Sequence, residues 1–458
     1  MTATMPAPLD SLLAALGPEV VSVHPGTLEA HRHDWTHDPG AGVPIAVVKA
    51  RTALDVQQAV RWAAATGIPI VPRGTGTGLS GGAQAVDGCL VISLAAMTKI
   101  LIDPATRTAI VEPGAINADI KRAAAVHGLW YPPDPSSFEM CSIGGNLATN
   151  AGGLCCVKYG VTSDYVLGMD VVLADGTLVE LGGHRIKDTA GFSLTKLFVG
   201  SEGLLGITTR AILRLLPAQP AAATFVASFP DVRSAAEAVV AIGGICRPSM
   251  LELMDNYSIN AVEDLVRMGL DREAGALLIG QSDAPGPART LEIEQMQQAC
   301  DRAGAKECVV TDDPEEGQMF LHARRNAFQA LEPRGTLLFE DVGVPIPLLP
   351  DLCTGIEAIA ARWETEIAVV AHAGDGNTHP LVVHDGSDPD SVRRARGAFD
   401  DVMALALSLG GTITGEHGVG RLKKAALPAQ LGPDVMALTR RIKDALDPQG
   451  ILNPGAML

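Results

Sequence analysis

No C-x-x-C pair occurs among the eight cysteines of this chain, and no unbroken apolar run reaches the roughly 18 residues of a transmembrane helix. The thiols are scattered, with only Cys155 and Cys156 adjacent. That spacing fits free, buried structural thiols in a reducing cytosol better than a disulfide framework. The N-terminus Met1–Pro6 lacks a basic region followed by an apolar one, so no secretory signal is expected. Positive charge is scarce: 35 Lys and Arg against 52 Asp and Glu give −17. Such a surface repels nucleic acid and anionic lipid, and neither is expected as a partner. An anionic small substrate then needs local cations to hold it. Repeats and low-complexity tracts are also missing. What remains is 47% hydrophobic and 19% charged, a globular composition, and 458 residues suffice for two or three domains.

Along the chain, His31, His33 and His37 share a segment with Asp34, Asp38, Pro39 and Gly40, which reads as a solvated loop. From Pro44 the pattern becomes regular. Ile45–Val48 reads as a strand. Thr52 can cap a helix with Val56, Ala59, Val60 and Ala63 on its apolar stripe, and Gly67 ends it. Ile68–Val71, Leu90–Leu94 and Ala109–Val111 read as strands, Asp119–His127 as a helix, and residues 171–181 as a hairpin around Asp175-Gly176. Strands outnumber helices here, which favours an α+β fold over a doubly wound parallel sheet. A stretch rich in Pro and Ala, Pro217–Pro230, suggests a domain boundary.

Glycine then concentrates in three places. Arg73-Gly74-Thr75-Gly76-Thr77-Gly78-Leu79-Ser80-Gly81-Gly82 can turn backbone N–H groups toward an anion, with small hydroxyls as further donors. No Gly-Lys-Ser/Thr follows, so it is not a Walker loop, and Leu79 stands where a dinucleotide fingerprint needs its third glycine. Ser142–Gly153 brackets small amides and hydroxyls with two glycine pairs, and Gly200-Ser201-Glu202-Gly203-Leu204-Leu205-Gly206-Ile207 is the third. A large cofactor contacted along its length explains all three better than ordinary turns.

Two further motifs carry ligand chemistry: His372-Ala373-Gly374-Asp375-Gly376-Asn377-Thr378-His379 and Gly415-Glu416-His417-Gly418. Imidazoles with a carboxylate form a set suited to a divalent transition metal with open positions. The glycines between His372 and His379 forbid a regular helix, so the loop must bring the rings together in its own way.

Taken in order, these motifs, with Lys158-Tyr159-Gly160, Arg421 closing Gly-Glu-His-Gly-Val-Gly-Arg, and Leu452-Asn453-Pro454-Gly455, resemble the FAD-linked 2-hydroxyacid dehydrogenase branch of the vanillyl-alcohol-oxidase flavoproteins. That branch includes D-lactate dehydrogenase, the flavin subunit of glycolate oxidase and D-2-hydroxyglutarate dehydrogenase. The resemblance runs from about Pro44 to the C-terminus. It implies a two-lobed FAD-binding domain over residues 1–217, an α+β cap or substrate domain over 218–410, and a segment 411–458 returning to the FAD domain. It places the FAD pyrophosphate on Arg73, Gly74, Thr75, Gly76, Thr77, Ser80 and Gly81, and the flavin along Gly144, Gly145, Asn150 and Gly152. Ile207 falls at the adenine end and Asn453 near the isoalloxazine. Covalent members use a histidine in the first glycine loop; none stands there, so FAD is expected to be non-covalent. His372, His379 and Glu416 match the family's metal ligands, for Zn²⁺ or Mn²⁺.

The implied chemistry is oxidation of a small D-2-hydroxy acid to the 2-oxo acid. The metal chelates carboxylate and hydroxyl, His417 takes the hydroxyl proton, and hydride passes from C2 to flavin N5. An ordinary imidazole pKa near 6.5 suits that proton transfer at neutral pH. Arg324, in Arg324-Arg325-Asn326-Ala327-Phe328, matches the family's Arg-x-Asn-Ala-aromatic element and is expected to anchor the substrate carboxylate; the bland alternative is a solvated helix arginine. Hydroxyglutarate enzymes carry a lysine shortly before Asp-x-x-x-Pro; here Phe339 precedes Glu340 and Asp341–Pro345. A monocarboxylate is therefore expected, D-lactate first and glycolate second, with a dicarboxylate as the alternative. A flavin-dependent transferase of the same fold and a non-catalytic flavin subunit are the other rivals. With no iron–sulfur or haem motif, electrons must leave to oxygen, a quinone, a cytochrome or another flavoprotein such as an electron-transfer flavoprotein. A homo-oligomer is compatible with the sequence.

Overall fold

A computed structural model describes residues 9–36 and 38–458. The expected N-terminal reading over Met1–Pro6 and His37 lie outside the described residues. The chain divides into two compact units. One contains the described residues up to Gly152, with Val161–Ala218 and Glu416–Leu458; the other contains Gly153–Gly160 and Gln219–Gly415.

The first unit opens with a small sheet in the order Val21–Ser22, Ala46–Lys49, Leu90–Ser93, Ile70–Arg73. Its last three strands pair in parallel, because the helix Ala53–Thr66 crosses over between Ala46–Lys49 and Ile70–Arg73. That helix starts where the sequence says it should. Thr52 accepts the N–H of Asp55, and the Asp55 carboxylate accepts the N–H of Thr52, a reciprocal capping box. Val56, Ala59, Val60 and Ala63 are fully buried against Ile70, Leu90 and Ile92. A second sheet is antiparallel, ordered Ile100–Asp103, Thr108–Val111, Ile207–Arg214, Val166–Val172, Leu178–Gly182. The expected hairpin is its edge, with Val172 opposite Leu178 across the Asp175-Gly176 turn.

The helix expected over Asp119–His127 runs instead from Asn117 to Ala125. Asn117 is buried and joins the helix because its side-chain amide donates to Pro133 O and Asn146 Oδ1, a tertiary gain no local pattern displays. The histidine segment is also less solvated than its composition suggests. His31 bonds the Thr27 carbonyl, and Asp34 is buried, accepting from Thr36.

The second unit is built on an eight-stranded antiparallel sheet. Its order is Glu307–Thr311, Ala223–Phe229, Ala276–Ser282, Met250–Asp255, Glu366–His372, Asn377–His384, Thr336–Phe339, with Val342–Gly343 also pairing Asn377–His384. The central strands are buried on both faces because helices Val232–Gly243, Asn256–Val266 and Leu349–Trp363 pack against the sheet. Within the Pro- and Ala-rich stretch, Ala223–Phe229 is one of these strands. Its β-rich residues Thr224, Phe225 and Val226 fill the sheet that flanking prolines only delimit. All eight cysteines are free; Cys156, Cys246 and Cys308 are only half-buried, so the buried-thiol expectation holds for the other five. Among the described residues no helix is long and apolar enough to cross a membrane.

Thr52→Ala removes one arm of the capping box and should lower stability by about 1 kcal/mol. The check is the urea midpoint of the variant beside wild type; equal midpoints would show that the box contributes nothing.

Candidate active site

In the first unit the strand Ile70–Arg73 delivers the chain into the first glycine loop. Arg73 is buried and its guanidinium donates to Ala83 O at 3.2 Å. Gly76 lies directly over that guanidinium with φ of +80°, so any Cβ there would collide with it. The N–H groups of Thr75, Gly76 and Thr77 donate to no protein group among the described residues. Partly buried N–H groups without acceptors form a nest that an anion would satisfy. Burial disfavours the charge on Arg73 and on Arg421, and Asp34 opposes that effect in both. Two desolvated guanidiniums beside orphan amides fit a pyrophosphate. In the sequence Asp34 reads only as part of a loop and Arg421 only as the end of the Gly-Glu-His-Gly-Val-Gly-Arg motif, neither with a cofactor role.

Other predicted cofactor residues take defined places in the same unit. Ser142 caps the short helix Ile143–Thr149 by accepting Gly145 N, and Gly74 packs against that hydroxyl. Gly144 donates to Pro113 O at 2.8 Å. Asn150 closes the helix in the left-handed region, and its Oδ1 accepts Ser163 N at 2.8 Å. Gly152 is buried just beyond it. Ile207 is a buried core residue opposite Val172, leaving only its backbone for a ligand. Asn453 is spent on the protein: Nδ2 donates to Gly82 O and Glu202 O, and Oδ1 accepts from Arg421.

Glu202 is the residue sequence reasoning passed over. Its carboxylate is buried and accepts Val419 N at 2.7 Å and Gly420 N at 2.8 Å, gripping the chain just after Glu416 and His417. Ser80 adds to the grip by donating to His417 O at 3.0 Å, while Ser80 O accepts Arg421 N. Glu416 and His417 stand together, Oε1 to Nε2 at 3.9 Å.

The second unit holds the two motif histidines on one hairpin. The strand Glu366–His372 turns through Ala373–Asp375 and Gly376, left-handed at φ +79°, into Asn377–His384. Register places Val370 opposite His379 and His372 opposite Asn377, so both rings emerge on one face as diagonal neighbours. Their centroids lie 5.0 Å apart at 83°. His372 Nδ1 is 2.9 Å from both oxygens of Glu252, and His379 Nδ1 stands 3.6 Å from Asp341. Asp341 also accepts Thr414 Oγ1 at 2.7 Å and Gly415 N at 2.9 Å. Gly415 therefore ends this unit beside the histidine pair's own carboxylate, and Glu416 follows by one peptide bond. The Glu252 carboxylate against His372 Nδ1 leaves that ring's Nε2 as its ligand face, and two imidazoles with Asp341 close by form a donor set that fits a divalent metal. Arg324 is buried, not solvated, and pairs with Glu252 at 2.9 Å; Arg325 is half-buried. Phe339 stacks on Phe328 at 4.3 Å.

Two family models match the chain. A family described as FAD binding domain matches residues 44–182, and one described as FAD linked oxidases, C-terminal domain, matches 218–457. The chain belongs to the FAD-linked oxidases. It is 40% identical over 418 residues to glycolate oxidase subunit GlcD of Bacillus subtilis, covering 91% of this chain and 89% of that protein. It is 33% identical to D-lactate dehydrogenase of Archaeoglobus fulgidus, covering 96% and 98%. Substrate-bound p-cresol methylhydroxylase has the same fold, with a TM-score of 0.83 over 98% and 96% of the two chains at 18% identity. The resemblance to FAD-linked oxidases, the α+β fold and the FAD-dependent oxidoreductase class are thereby borne out.

Burial pushes the Glu202 carboxyl up to about 7 from an ordinary 4.5, against the pull of the Val419 and Gly420 N–H groups and Arg421. Between those values the folded protein keeps a proton that the unfolded chain releases. Stability should thus fall as pH rises from about 4.5 to about 7 and level off above. Glu202→Gln should flatten that decline. A shallower slope remains from Asp255, which burial raises to about 6. Melting temperatures of both proteins from pH 5 to 8 decide it, and parallel curves would contradict it.

Proposed function

We propose that this FAD-linked oxidase oxidises a small D-2-hydroxy monocarboxylate, D-lactate first and glycolate second, to its 2-oxo acid. The observation that carries the reading is the buried His372–His379 pair, each Nδ1 facing a carboxylate, on a chain that reaches Glu416 one bond after Gly415. Relatives named for glycolate and D-lactate support the substrate class, and the higher identity to the glycolate oxidase subunit strengthens glycolate's claim.

Residues 1–217 and 411–458 are assigned to the FAD-binding part and 218–410 to the cap. Non-covalent FAD would be held by Arg73, Gly74, Thr75, Gly76, Thr77, Ser80, Gly81, Gly144, Gly145, Asn150 and Gly152, with Ile207 and Asn453 at its two ends. Zn²⁺ or Mn²⁺ would be held by His372, His379 and Glu416. When bound, FAD supplies a hydride acceptor and the metal supplies positive charge that lowers the hydroxyl pKa. Arg324 orients the substrate carboxylate, and the ring of His417 removes the hydroxyl proton. Ser80 and Glu202 keep the His417 backbone in place for that transfer. The stacked Phe328 and Phe339 offer no charge for a second carboxylate, which disfavours 2-hydroxyglutarate. Electrons then pass to a diffusible acceptor or partner flavoprotein, in a reducing cytosol that the free thiols suit.

Anaerobic addition of D-lactate, L-lactate, glycolate and D-2-hydroxyglutarate to separate samples tests the reading. Bleaching of the flavin band by D-lactate or glycolate is expected. Bleaching by hydroxyglutarate alone would overturn the monocarboxylate assignment, and bleaching by none would favour the transferase.

His417→Ala should lower the reduction rate roughly 10²–10⁴-fold, the usual worth of a general base. A rate within tenfold of wild type would remove His417 from that role. Prolonged chelation should abolish reduction, with Zn²⁺ or Mn²⁺ restoring it; full activity after the metal is gone would rule out a metal role.

A further inference from the structure

We propose that Glu252 is a positioning residue that fixes the tautomer of His372 and, through the same carboxylate, the place of Arg324. The inference rests on the metal reading above and extends it to a residue outside the expected ligand set.

Glu252 sits in the strand Met250–Asp255, directly opposite His372 in the register of the neighbouring strand. Opposed residues project to the same face, so the carboxylate meets the imidazole without any loop to adjust the distance. Both oxygens lie 2.9 Å from Nδ1. Oε2 also lies 2.9 Å from the Arg324 guanidinium. All three side chains are buried, and Met250, Leu251, Leu253 and Met254 beside Glu252 are buried too.

The chemistry of that triad is constrained. A carboxylate paired with arginine carries no proton to donate, so the hydrogen bond to His372 must be donated by Nδ1–H. Nε2 is then the nitrogen with the lone pair, the one a metal can use. The same charge, on an otherwise apolar strand, selects the tautomer and balances the buried Arg324 near the end of the helix Pro314–Arg325, where either charge alone would be costly. Glu252 thus ties the metal ligand and the substrate's cationic anchor to one atom group. Removing its charge should loosen both: metal affinity through the tautomer, substrate affinity through Arg324.

The experiment uses FAD-loaded enzyme stripped of metal, titrated with Zn²⁺ and separately with Mn²⁺ against a chromophoric chelator. Glu252→Gln should weaken metal binding about 10–100-fold, the usual cost of losing such a partner. It should also raise KM for the hydroxy acid more than it lowers kcat at saturating metal. Glu252→Asp, which keeps the charge, should recover part of both. Unchanged metal affinity in a folded Glu252→Gln protein would overturn the proposal. Wild-type enzyme that binds neither ion would instead overturn the metal reading itself.

A second measurement needs no variant of Glu252. Long-range ¹H–¹⁵N spectra of histidine-labelled, metal-free wild type should show His372 as the Nδ1–H tautomer, its signal assigned by its loss in His372→Asn. An Nε2–H signal would refute the proposal even if Glu252→Gln failed to fold.

Discussion

A glycine-rich segment has backbone N–H groups to offer a ligand and few side chains with which to hold its own shape. Here the shape is imposed from elsewhere in the chain, by buried polar side chains that each grip several backbone groups. Glu202 takes two N–H groups after His417, and Asn453 takes the carbonyls of Gly82 and Glu202 itself. Lys443 binds Leu204 O and Leu452 O, while Asp447 accepts Ile451 N and Leu452 N. Each such group loses hydration on burial and recovers it only if every partner is in place. The loops of the first unit are therefore fixed as a set, which is the precondition for leaving the amides of Thr75, Gly76 and Thr77 pointing at something other than protein.

The same logic, with strands in place of loops, governs the second unit. A pair of metal-ligating rings needs tolerances of a fraction of an ångström. A hairpin meets them through register: once Val370 faces His379, the position of His372 on the same face is decided. The strand on the other side is fixed in turn by Glu252 facing His372, and Asp341 holds Gly415 at the edge of the histidine pair. Under the proposed metal role, it is the buried Glu252 behind His372 and Asp341 beside His379 that would orient the rings for a ligand.

Much of this was legible in the sequence, for a physical reason that also marks the limit. Thr52, the stripe from Val56 to Ala63 and the Asp175-Gly176 turn act within a few residues of themselves, so pattern alone exposes them. The motif residues from Arg73 to Ser80, His372, His379 and Glu416 could be named because their residue types and order are unusual. Glu202, Glu252, Asp34 and Asn117 work across separations of tens to hundreds of residues. Nothing near them in the chain shows their partners. One clue was available for Glu252: a lone carboxylate inside the apolar run Met250–Met254 is too costly to bury without cations or donors. Arg324 showed the converse, because a helix-end arginine looks solvated until the acid it balances is known.

Electrostatics closes the account of how a chain of net charge −17 can handle an anionic cofactor and an anionic substrate. Long-range attraction is not available, since beyond roughly 8–10 Å salt screens whatever field the surface sets up. The cations that matter are instead few and desolvated: Arg73 and Arg421 at the glycine loop, Arg324 at the histidine hairpin. Each is already partly balanced, the first two by Asp34 and the third by Glu252. A partly balanced buried cation still gains from an incoming anion, because the low local dielectric magnifies the added pairing. Under the proposed function, selectivity would then follow from the position of these few buried cations rather than from charge count.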